Sequence, residues 1–114
     1  MKRLAWCALC LGTLLAGCGP SPRDLREQGI SEFQLGRRAE AKKLLQQCLD
    51  RTPADPRALF YMGRVEHAMG NYEMAMFYYQ SCLDTDPSFD LARLWLDKAE
   101  TAAGPEGKRM RFIP

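Results

Sequence analysis

Residues 56–89, PRALFYMGRVEHAMGNYEMAMFYYQSCLDTDPSF, laid over residues 22–55, PRDLREQGISEFQLGRRAEAKKLLQQCLDRTPAD, agree at 12 of 34 places, where composition alone gives roughly two. The agreeing pairs include Pro22 with Pro56, Leu25 with Leu59, Gly29 with Gly63, Gly36 with Gly70, Ala41 with Ala75, Cys48 with Cys82 and Pro53 with Pro87. Most are small residues or residues that start and stop helices, so the two stretches are copies of one helical unit.

The punctuation divides each unit in two. Pro22 and Pro56 follow Ser21 and Asp55, good helix caps, and a proline at the first helical position sacrifices no hydrogen bond. Gly36 and Gly70 stand where a helix ends in a left-handed turn, and Pro53 and Pro87 follow the second helix of each unit. The spacing predicts helices at 23–35, 38–51, 57–69, 72–84 and 90–102. The chain therefore reads as all-α: two helix-turn-helix units, 22–55 and 56–89, and a capping helix over 90–102 that carries Leu91, Leu94, Trp95 and Ala99 on connected faces.

Gly63, Gly70, Tyr72, Ala75, Tyr79, Cys82 and Pro87 in the second unit resemble the signature of the tetratricopeptide repeat, and the resemblance covers residues 22 to 102. The first unit keeps Gly29, Ala41 and Pro53, with Arg38 and Leu45 in place of two aromatics. The resemblance implies a short right-handed α-solenoid that binds protein ligands on a concave face built from the first helix of each unit. Carried over residue by residue, that groove takes Arg23, Arg26, Ile30, Phe33 and Gln34 from the first unit. It takes Arg57, Phe60, Arg64, His67 and Ala68 from the second, and Leu91, Leu94 and Lys98 from the last helix. Arginine forks beside Phe33 and Phe60 suit an acidic, partly apolar peptide or helix. The family's clamp for a partner's terminal carboxylate is missing, since Ile30, Tyr61 and Leu91 stand at its places.

Three packing expectations follow. Gly29 against Ala41 and Gly63 against Ala75 predict close approach of paired helices. Cys48 and Cys82 hold one small-residue place in the two units and are expected to be buried free thiols, because equivalent places in stacked units lie beyond the roughly 7 Å that a disulfide tolerates. Met74 and Tyr78 are expected in the core, whereas Phe77, three residues from Met74, is expected to leave an apolar spot outside.

Ahead of the repeats, Lys2 and Arg3 precede an apolar run from Leu4 to Ala16, the charged head and apolar body of a secretory signal over residues 1–17. That run is too short for a permanent bilayer span. Its end, Leu15-Ala16-Gly17-Cys18, resembles the lipobox of bacterial lipoproteins. The resemblance implies acylation of Cys18, a short linker to residue 21, and membrane attachment through several acyl chains. Gly19, rather than an aspartate, implies the outer membrane and a periplasmic orientation. Cys7 and Cys10 fall inside the signal, where a redox or metal role is not expected. Residues 103–114 read as a basic tail in which Phe112 and Ile113 can fold back over the last helix.

Lys and Arg total 16 against 14 Asp and Glu, and leaving out Lys2 and Arg3 makes 14 against 14. A formally neutral mature chain offers no electrostatic case for a nucleic-acid partner. The single histidine, His67, has neither a nucleophile elbow nor metal-ligand spacing around it, so no catalysis, metal or cofactor is expected. The expected function is that of a membrane-anchored adaptor assisting assembly of a secretin, a type IV pilus or an outer-membrane complex. A docking regulator of a cell-wall enzyme and a secreted module without lipid are the alternatives.

Overall fold

The computed structural model describes residues 19–105. The segment expected to be a signal, with Cys18, and the tail from residue 106 on lie outside the described residues. Five helices follow one another: α1 (Pro22–Gln34), α2 (Arg38–Arg51), α3 (Pro56–Ala68), α4 (Tyr72–Thr85) and α5 (Asp90–Ala103). Each bound agrees with its expected position to within one residue.

The helix ends have identifiable chemistry. Ser21 accepts from the Asp24 amide while the Asp24 carboxylate accepts from the Ser21 amide, a reciprocal capping box that pulls the Asp24 pKa below its ordinary value. Asp55 Oδ1 accepts from the Arg57 and Ala58 amides at the start of α3. At the far end of α1, Gly36 takes φ +81°. Its amide donates to Phe33 and that of Arg37 donates to Glu32, the paired bonds that close a helix around a left-handed glycine. Gly70 at φ +82° does the same for α3 with His67 and Glu66. The start of α5 differs, for Phe89 stands in the cap position with no side-chain bond. Its ring packs instead 5.1 Å from that of Phe60.

Each helix packs on its neighbours in the chain, and α1 also touches α3, and α3 touches α5. The first helices of the units thus form one layer, with α2 and α4 behind. A single core runs through it, with Leu45, Cys48, Ala58, Met62, Val65, Tyr79, Cys82 and Ala99 fully enclosed. Cys48 and Cys82 are buried and unbonded to each other, as expected. Burial raises both thiol pKa values, that of Cys82 to about 12.

Two polar ties brace the layers. Arg26 on α1 donates at 2.9 Å to Oδ2 of Asp55, the residue that caps α3. Glu66 on α3, almost fully buried, pairs with Lys42 Nζ of α2 at 2.8 Å and accepts from Asn71 Nδ2 at 2.8 Å. A buried carboxylate needs this second partner as well as the charge.

The glycine expectation needs correction. A Cβ at Gly29 would meet Leu45 Cγ at 2.8 Å, and one at Gly63 would meet Tyr79 Cε1 at 2.5 Å. The glycines therefore make room for the large side chains of Leu45 and Tyr79, and Ala41 and Ala75 are not their nearest neighbours. Met74 is also corrected: it is exposed, with Phe77 beside it, while Tyr78 is half-buried and edge-on to the Phe77 ring at 5.4 Å. Among the described residues no helix packs over the outer face of α4, so hydrophobicity alone does not bury Met74.

Candidate functional site

The layer of α1, α3 and α5 gathers the groove residues named from the sequence, yet it treats them unequally. Ile30 and Phe60 are 4% and 2% exposed and are core residues, which corrects their assignment as ligand contacts. The physical reason is aromatic packing: the Phe60 ring is surrounded by those of Tyr61 at 5.2 Å, Tyr79 at 5.9 Å and Phe89 at 5.1 Å. A helix face three residues wide in sequence carries both a buried edge and an exposed one, and Phe60 falls on the buried edge.

Two arginines of this end, Arg26 and Arg57, are already engaged. Arg26 pairs with Asp55 at 2.9 Å and with Glu27 at 3.1 Å, and Arg57 pairs with the same Glu27 at 3.4 Å. Arg23 is exposed. Gln34 and Ala68 are exposed at the ends of α1 and α3.

The second half is different. Arg64 lays its guanidinium 3.6 Å from the centroid of Trp95, with Phe33 at 5.3 Å and Phe60 at 6.0 Å. Lys98 Nζ lies 4.5 Å from the same indole. No carboxylate among the described residues comes within ion-pair distance of either cation. Rings order cations without neutralising them. Beside them, Leu91 and Leu94 are 55% and 49% exposed, and Phe33, half-buried, meets Tyr61 edge-on at 6.2 Å.

His67 sits beneath this patch. Its ring is edge-on to Tyr72 and to Trp95, both at 5.2 Å, and its Nδ1 is buried with no hydrogen-bond partner. Burial first, then the charges of Arg64 and Lys98, holds its pKa below the ordinary value. His67 is therefore a neutral wall of the site and no cation of it at neutral pH. The Tyr79 hydroxyl, also buried and unpartnered, has its pKa raised by burial.

Two lining residues were not named as groove contacts from the sequence: Trp95, and Tyr61, which entered only as a replacement at the missing carboxylate clamp. They occupy one place in successive units, 34 residues apart, and a search for aromatics recurring at the repeat period would have found them. Among the described residues no group of three His, Cys, Asp or Glu side chains is placed to hold a metal.

The tetratricopeptide repeat family pattern matches residues 32–94, from the last turn of α1 through the whole of α2, α3 and α4 into the start of α5. This chain belongs to the tetratricopeptide repeat family. No curated protein matches it at a significant level. The repeats are a non-catalytic fold used for protein-protein interaction.

Proposed function

We propose that this tetratricopeptide repeat chain is a periplasmic adaptor, tethered to the outer membrane by a lipidated Cys18. It holds another protein on the α1–α3–α5 face, in the service of assembling a secretin, a type IV pilus or an outer-membrane complex. The tether rests on the lipobox sequence and the binding role on the family. The observation that carries the partner's character is the pair of cations, Arg64 and Lys98, without a carboxylate partner among the described residues and stacked on Trp95 next to exposed Leu91 and Leu94. An acidic segment with apolar side chains satisfies both halves. The stacked guanidinium is already ordered, so little conformational entropy opposes its pairing with a carboxylate.

A photoreactive side chain at Leu94, used in intact cells, should capture an envelope protein. The double variant Arg64→Glu/Lys98→Glu should weaken that capture roughly tenfold or more, while circular dichroism stays that of the parent. Capture unaffected by the charge reversal, or capture from Phe77 on α4 alone, refutes the assignment of the face.

A further inference from the structure

The segment joining the folded body to Cys18 is fixed almost up to that cysteine. Ser21 caps α1, and Arg51 at the end of α2 donates from Nη1 to the Pro20 carbonyl at 2.7 Å. Only Gly19 stands between Pro20 and Cys18. Two residues of extended chain reach at most about 7 Å. Whatever holds Cys18 therefore holds the body close, and at one edge.

The contacts identify that edge. Arg51 with Pro20 joins the end of α2 to the start of α1, and Arg26 with Asp55 and Glu27 with Arg57 bring the start of α3 alongside. Phe60 against Phe89 adds the turn before α5. The opposite edge carries the turns at 35–37 and 69–71, tied by Lys42 with Glu66 and Glu66 with Asn71. Helices of 13 and 14 residues separate the two edges by about 20 Å.

We propose that the first edge lies against the lipid headgroups, with α1, α3 and α5 standing away from the bilayer. The binding face then stands upright on the membrane, with its α1-to-α3-to-α5 direction parallel to the surface, and its near end meets a segment of the partner close to that membrane. The proposal rests on the acylation of Cys18 put forward above. Orientation comes from the short, pinned tether and not from charge: Arg23, Arg26, Arg51, Arg57 and Arg93 on this edge stand against Asp24, Glu27, Asp50, Asp55, Asp86 and Asp90, leaving no net attraction for an anionic surface. A flexible linker of ten residues spreads over roughly 17 Å, nearly the height of the body, and would erase the orientation.

The test uses the lipoprotein isolated from membranes, with a nitroxide at Ala54→Cys on the near edge or Leu35→Cys on the far one. Both positions are exposed, and the protein without either substitution controls for labelling of buried Cys48 and Cys82. The protein is reconstituted in phosphatidylethanolamine and phosphatidylglycerol vesicles carrying a nickel-chelating headgroup. Relaxation of the label should be roughly threefold or more stronger at residue 54 than at residue 35, given the separation of the edges. Inserting ten Gly and Ser residues between Gly19 and Pro20 should make the two equal. Mass analysis of the N-terminal peptide is run on the same material. Acylated Cys18 with equal relaxation, or with stronger relaxation at residue 35, overturns the orientation while the anchor stands. A free Cys18 overturns the anchor and the orientation with it.

Discussion

An alanine at Gly63 tests the packing that supports the binding face. Its methyl would lie 2.5 Å from Cε1 and 2.6 Å from Cδ1 of Tyr79, about an ångström inside the optimum carbon separation of roughly 3.5–4.0 Å. Tyr79 is fully buried, flanked by the rings of Phe60 at 5.9 Å and His67 at 6.3 Å, so the ring cannot retreat without moving the floor of the site. Overpacking of this severity costs about 3 kcal/mol, and the better helix propensity of alanine returns about 1 kcal/mol. The net loss of about 2 kcal/mol lowers the melting temperature by roughly 8–16 °C in a domain of this size. Gly29→Ala should cost less. Its nearest neighbours are Leu45 Cγ at 2.8 Å and Cδ2 at 3.1 Å, and an aliphatic side chain can rotate where a ring cannot. Thermal unfolding followed by circular dichroism checks both. If Gly63→Ala is as stable as the parent, or if Gly29→Ala is the more damaging of the two, the account of the glycines fails.

Three further outcomes are expected. Phe60→Ala should destabilise the fold by about 3–5 kcal/mol, seen in urea unfolding, so any loss of partner binding in that variant tracks loss of folded protein. Lowering the pH should destabilise the protein through His67. The unfolded chain takes up a proton near pH 6.5 and the folded one only below that, because burial, Arg64 and Lys98 depress its pKa. Stability thus falls with pH below about 6.5 until the folded imidazole titrates, and His67→Gln should flatten that dependence in unfolding measured from pH 7.5 to 5. Finally, Cys48 and Cys82 should remain free thiols that react with a thiol reagent only after denaturation, since both are buried and burial raises both pKa values. A mass corresponding to a Cys48 to Cys82 disulfide would contradict this.

The amino-acid sequence by itself determined the repeat, its period, its helices and their ends. Those features are set by local chemistry: a proline after Ser21 or Asp55, a glycine free to take positive φ at positions 36 and 70, and apolar residues at helical spacing. It also determined that Cys48 and Cys82 are equivalent, and it placed Arg64, Leu94 and Lys98 on one side of their helices. Tertiary structure alone decided which residues of that side a partner can reach. Phe60 and Ile30 share the spacing of Arg64, yet the turn before α5 and the rings of Tyr61 and Tyr79 close over Phe60. Trp95 and Tyr61 emerge in the layer because α3 and α5 lie next to each other. Arg26 and Arg57 are spent on Asp55 and Glu27 across the first two first-layer helices, whereas Arg64 and Lys98 meet aromatic rings and, among the described residues, no carboxylate. Exposure and charge pairing depend on neighbours distant in the chain, and no local pattern encodes how far an adjacent helix stands from a given side chain.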